Sequence, residues 1–155
     1  MSNVTNRLTL IQRGNPGKSG GFSLIEVLVG LIILAIGLLG LAGLQLEALR
    51  NNNSAYLRSQ ATFLAYDIMD RMRANRSHAL DGHYVIAIGQ NPAGLSPAPP
   101  LVVLHDLTVW KDSLAKTLPG PGDGSVAING TRVTIVVQWN EIREGITQFQ
   151  TQSEL

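Results

Sequence analysis

The 155-residue sequence contains no cysteine. That absence excludes disulfide staples, a thiol nucleophile, lipid attachment through Cys and a thiolate metal site, so an exported domain of this length must fold on its core alone. A charge excess is missing as well, with 12 Lys and Arg against 11 Asp and Glu. No general field therefore recruits nucleic acid or a strongly acidic partner. Acids are absent ahead of Phe22, where Arg7, Arg13 and Lys18 stand unopposed. Removing those three cations takes the formal net charge from +1 to −2. Proline is absent between Phe22 and Pro92. Catalytic machinery is lacking too: no nucleophile with a base and an orienting acid can be assembled. The "GPGDGS" stretch has Gly spaced as in phosphate loops, yet without the following Lys or a strand-to-helix setting it reads as a turn. An enzyme is not expected, nor a cofactor.

What the chain does have is "KSGGFSLIEVLVGLIILAIGLLGLAGLQ" over residues 18–45, an apolar run with one carboxylate, Glu26, just inside its start. From Phe22 to Leu44 a helix extends about 34 Å, enough to cross a hydrocarbon core of about 30 Å. The basic flank keeps its near end cytoplasmic and sends the remainder outward. A secretory signal peptide has a shorter apolar stretch, of roughly 7–15 residues, ending at a small-x-small site. Here the small residues, Gly20 and Gly21, stand on the other side. A peptidase at the cytoplasmic face could cut between Gly21 and Phe22 and leave the helix on the mature chain.

The Gly, the following Phe and the Glu four residues later resemble the N-terminal methylation motif of type IV pilins and type II secretion pseudopilins. The similarity extends to "RNNNSAYLRSQATFLAYDIMDRMRANR" and to the later "W…L…LPG…GSV", which resemble minor pilins of the PilV type, the type IV pilus modification proteins. This resemblance implies processing at Gly21/Phe22 by a prepilin peptidase, methylation of the Phe22 amine, and pairing of Glu26 with that amine in a neighbouring subunit. The partners it implies are other minor pilins, the major pilin and the inner membrane, without nucleic acid. Its implied location is the inner membrane, single-pass with a cytoplasmic N-terminus and a periplasmic C-terminal part, and then the pilus at the cell surface.

Two physical readings of Glu26 stand. One helical turn from the boundary, its carboxylate reaches the headgroups and is tolerated there at far less than the cost at a helix centre. Alternatively, cleavage creates an α-amino group at Phe22, and ammonium and carboxylate, both poorly solvated, fix the stagger between adjacent helices. Gly30, Gly37, Gly40 and Gly43 likewise fit the ordinary glycine content of membrane helices, close helix approach, or local unwinding near Leu41. Related major pilins use a proline in that region.

Beyond the run, Leu46, Leu49, Leu57, Ala61, Leu64, Ile68 and Met72 recur at three- and four-residue steps apart from a gap at Asn51–Asn53, predicting one helix to about Ser77. Its apolar stripe should cover a sheet. Asp67 and Arg71 form an i,i+4 pair, and Arg71, Arg73 and Arg76 suit the helix C-terminus. Interspersed acids argue against a nucleic-acid face there. "HYVIAIG" and "LVVLHD" read as short strands around an exposed Pro-rich loop. Asp106 is placed to cap a short helix whose Leu107, Trp110, Leu114 and Leu118 share a face, ended by Pro119 and Gly120. Asn129-Gly130 suits a type I′ hairpin turn, with Val133, Ile135, Val137 and Trp139 alternating toward the core. "GITQFQTQ" returns as a further strand.

The resulting expectation is an α+β, pilin-like fold: a long N-terminal helix, its first half transmembrane, packed on a small antiparallel sheet. The divisions are a prepilin leader at residues 1–21, a transmembrane or filament-core half-helix at 22–44, an amphipathic half at 45–78 and a periplasmic α+β part at 79–155. His78, Asp81 and His83 are the nearest approach to a ligand cluster. With at most three donors on a loop, no metal site is expected. The leading function is a structural subunit, a minor pilin in pilus assembly or initiation. A minor pseudopilin of a type II secretion system and a membrane-anchored periplasmic binding module are the alternatives.

Overall fold

The structure is a computed structural model and describes residues 21–141 and 145–155. The elements are α1 (Leu24–Ala74), α2 (Arg76–Leu80), a 3-10 turn (Pro92–Gly94), α3 (Leu101–Thr117), β1 (Asp123–Asn129), β2 (Arg132–Glu141) and β3 (Gly145–Glu154). Contacts separate the chain into a part ending at Leu44 and a body over Gln45–Leu155. The first contains the start of α1, and every residue from Gly21 to Leu44 is exposed. The leader, residues 1–20, lies outside the described residues.

In the body, the strands form one antiparallel meander in the order β1-β2-β3. β2 is central, pairing Val126 with Ile135 on one side and Thr151 with Ile135 on the other. Its burial alternates: Val133, Ile135, Val137 and Trp139 are buried while the residues between them are partly open. That is the period-two pattern expected of a sheet with one face on a core. The facing stripe of α1 is Leu57, Ala61, Ala65, Ile68 and Met72. Ala61, Ala65, Ile68, Met69 and Met72 all belong to the one core cluster that also holds Val133, Ile135, Val137 and Trp139. Leu46 and Leu49, ahead of the Asn cluster, do not join this core and are exposed.

The sequence reading needs correction at four places. α1 ends at Ala74, not at about Ser77, because Asn75 leaves the helical region at φ −114°, ψ 46° and starts α2. "HYVIAIG" is not a strand; only a single bridge joins Ile86 to Val126. "LVVLHD" is not a strand either but the first turns of α3, which Pro100 opens by accepting the Leu104 N–H at 2.9 Å. Asp106 therefore caps nothing and lies inside the helix, 7 % exposed. The hairpin turn is also displaced by one residue. Asn129 pairs with Arg132, leaving Gly130 and Thr131 as the loop. Gly130 has φ +62° and Thr131 a negative φ, the sign pattern of a type II′ turn.

The "GPGDGS" stretch serves packing. A Cβ on Gly124 would stand 2.7 Å from the Trp110 ring and 2.8 Å from the Val136 carbonyl oxygen, so a hydrogen at this position is what lets α3 lie against β1. Leu107, Trp110, Leu114 and Leu118 are all buried, as their spacing predicts. Trp110 Nε1 donates to the Leu64 carbonyl at 2.9 Å, satisfying the buried indole and tying α3 to α1.

Candidate functional site

The candidate site lies at the entrance to α1. Gly21 and Phe22 precede α1, and Phe22 is 83 % exposed. The Ser23 carbonyl accepts the Glu26 N–H at 2.9 Å and the Val27 N–H at 3.3 Å, which starts the helix. Glu26 thus sits in the first turn. The unpaired N–H groups there favour a nearby anion by about 0.3–1 kcal/mol at an exposed helix end. This contribution offsets part of the carboxylate's cost in either reading of Glu26. α1 then continues without a break through Leu41, so the described helix shows no unwinding at its glycines. A side chain at Gly30, Gly37, Gly40 or Gly43 would meet no atom within 4 Å among the described residues, so no contact there requires those glycines.

α1 is long and apolar enough to cross a membrane by length and composition, and its most apolar window is entirely unburied within the chain. A family model for the prokaryotic N-terminal methylation motif matches residues 17–42. The chain thus carries the N-terminal methylation motif of type IV pilin-like proteins. No curated protein and no solved structure gives a further match. The motif covers the Gly20-Gly21 pair, Phe22 and Glu26 together, which implies processing there by a prepilin peptidase. The chain's membrane-length helix fits a membrane-anchored pilin.

Sequence reasoning missed a buried polar centre in the body. The Asp106 carboxylate accepts from the Tyr84 hydroxyl at 2.5 Å, Arg71 Nη1 at 3.1 Å and Asn75 Nδ2 at 3.2 Å. Asn75 Nδ2 also donates to the Tyr84 oxygen at 3.0 Å, and Arg71 Nε to Asp67 at 3.0 Å. The network joins the end of α1, the loop after α2 and the middle of α3. Asp67 first, then Asp106, holds the Arg71 guanidinium above its ordinary range against the opposing effect of burial. Burial, reinforced by Asp106, pushes the Tyr84 phenol up, so it remains a hydrogen-bond donor. Arg73 and Arg76 are engaged as well: Arg73 donates to Asp70 and Ser153, and Arg76 to the Leu155 carbonyl. Arg73 and Arg76 thus reach from the end of α1 and the start of α2 to the C-terminal end of the chain at exposed positions.

A second ion pair joins Lys111 of α3 to Asp123 of β1. Burial would raise the Asp123 pKa, but the Lys111 bond with backbone N–H groups of Gly89 and Gly124 outweighs it and holds the carboxyl below its ordinary value. Finally, His78, Asp81 and His83, judged insufficient for a site from sequence, are brought together: one ligand atom from each lies within 4.8 Å of the others.

Proposed function

We propose that this pilin-like chain is a minor pilin of the PilV type, a structural subunit of the type IV pilus that acts in assembly or initiation and performs no catalysis. The observation that carries this reading is the methylation motif at the entrance of a helix whose first half is wholly exposed. After cleavage before Phe22, residues 22–44 would hold the subunit in the inner membrane, with the body periplasmic, and later form part of the filament core. In that core the Glu26 carboxylate pairs with the methylated Phe22 amine of a neighbour. The unused space at Gly30, Gly37, Gly40 and Gly43 supports close packing against other helices.

The outer part of α1 supports the same role. Leu49, Tyr56 and Phe63 recur at seven-residue steps, are 66 %, 59 % and 69 % exposed, and lie on the face opposite the buried stripe. Such an apolar row marks a contact surface, here for the major pilin or other minor pilins. Processing occurs in pilins and pseudopilins alike, so the test separates the two machines. Deleting the gene should reduce surface pili and leave type II secretion intact, with the processed protein recovered in sheared pili. Normal piliation with a secretion defect would overturn the pilus assignment and favour a pseudopilin.

A further inference from the structure

The end of α2 brings together side chains that the proposed assembly role does not use. At the end of α2, Gly82 adopts φ +80°, its N–H bonds to the Ala79 carbonyl at 3.0 Å, and the His83 N–H bonds to the His78 carbonyl at 3.0 Å. This is the Schellman arrangement, whose two outermost positions ordinarily bring a pair of apolar side chains into contact. Here those positions hold His78 and His83. Their rings meet edge to face with centroids 5.6 Å apart. Asp81, between them, occupies the cap position and is exposed. The backbone that ends the helix thereby converges two imidazoles and a carboxylate.

A second observation is independent of that geometry. His83 Nδ1 is buried and has no hydrogen-bond partner. Buried ring nitrogens ordinarily find a partner, and one left without it calls for a water, an ion or a functional role to account for it. We propose that His78, Asp81 and His83 bind one divalent first-row transition-metal ion, of which zinc fits best. Two imidazole nitrogens and one carboxylate oxygen suit such an ion, whereas calcium and magnesium favour all-oxygen sets. A tetrahedral ion at about 2.0–2.2 Å from each donor holds them about 3.3 Å apart, so rotations moving the donors by about an ångström close the present 4.8 Å set. Asp81 and His83 also line a cavity of about 380 Å³ with Gln90 and Ser96, leaving room for water as the fourth ligand. Bound there, the ion pins the end of α2 to the following loop.

The test is equilibrium dialysis of the untagged, chelator-stripped full chain in detergent against zinc, with magnesium as the hard-cation comparison. The expected result is one zinc per chain, little magnesium, and at least about tenfold weaker zinc binding in His78→Ala, Asp81→Asn and His83→Ala, since even outer-shell partners act on that scale. Asp81→Asn is an exposed, near-isosteric change that keeps the fold, as circular dichroism checks. His105→Ala removes the remaining, exposed histidine and should leave binding unchanged. Failure to bind zinc stoichiometrically, or an Asp81→Asn variant that binds as the parent does, would overturn the site. Equal loss on His105→Ala would also overturn it, by showing nonspecific histidine binding.

Discussion

Replacing Asp106 by Ala removes the acceptor shared by Tyr84, Arg71 and Asn75 at 2.5, 3.1 and 3.2 Å. Arg71 retains Asp67, and Asn75 retains the Tyr84 oxygen. The phenol proton, by contrast, loses its acceptor in a buried place. Removing one partner of a buried charged network costs about 3–5 kcal/mol. Tyr84→Phe takes away the bond to the charged acceptor, together with the oxygen to which Asn75 also donates, and leaves Asp106 with Arg71 and Asn75, which costs about 1.5–3 kcal/mol. Because both variants break the same bond, the double variant should fall short of the sum by about 0.5–3 kcal/mol. For a body of this size the Asp106→Ala loss corresponds to a melting point lower by about 10–20 °C. Thermal unfolding of the detergent-solubilised chain, followed by far-ultraviolet circular dichroism and by fluorescence of the buried Trp110 and Trp139, reads it. A loss below about 1 kcal/mol for Asp106→Ala, or full additivity in the cycle, would refute the reasoning that this network fastens α3 to the end of α1.

Ile135→Asp places an unpaired charge in the centre of β2's buried face, where Ile135 is 0 % exposed, and should unfold the body or lower its melting point more than any change at Thr134; unchanged thermal stability would show that face to be open. Glu26→Leu should still be cut before Phe22 and remain in the membrane, yet be depleted from sheared pili, because the unpaired ammonium of a neighbour costs about 3–5 kcal/mol in an apolar core; normal recovery of the processed variant there would reject the pairing. The depressed Asp123 pKa means its ion pair stabilises the fold fully above the ordinary carboxylate value of about 3.9 and is lost as pH falls through the lower folded value. The stability gap between parent and Asp123→Asn should therefore narrow in acid, and a gap constant from neutral pH to the acid transition would contradict this.

The two periodicities that survived translation into structure were those with a single physical meaning. Val133 to Trp139 alternate over a length that a helix cannot mimic, and Leu57 to Met72 follow a helical stripe over four turns. "LVVL" has neither property. A four-residue apolar run suits strand and helix equally, and the decisive signal was the preceding Pro99-Pro100, which suits a helix start. Asp106 was misread for a related reason: short polar residues before an apolar face commonly cap, and only the fold brings Tyr84 and Asn75 from distant positions to bury it. The histidine pair was legible in part. Gly82 two residues after Leu80 signals a helix end, but that the two flanking positions touch follows from the hydrogen bonding of the turn, which spacing alone does not display. The methylation motif was readable because it is local: Gly21, Phe22 and Glu26 lie within one short stretch at the start of α1.

The central claim concerns that chain end, and the intact mass with the N-terminal sequence of the protein extracted from membranes and pili tests it most directly. Processing at the motif predicts a chain beginning at Phe22 and carrying one methyl group on its α-amine. Functional, pilus-associated protein that retains residues 1–21 would contradict it.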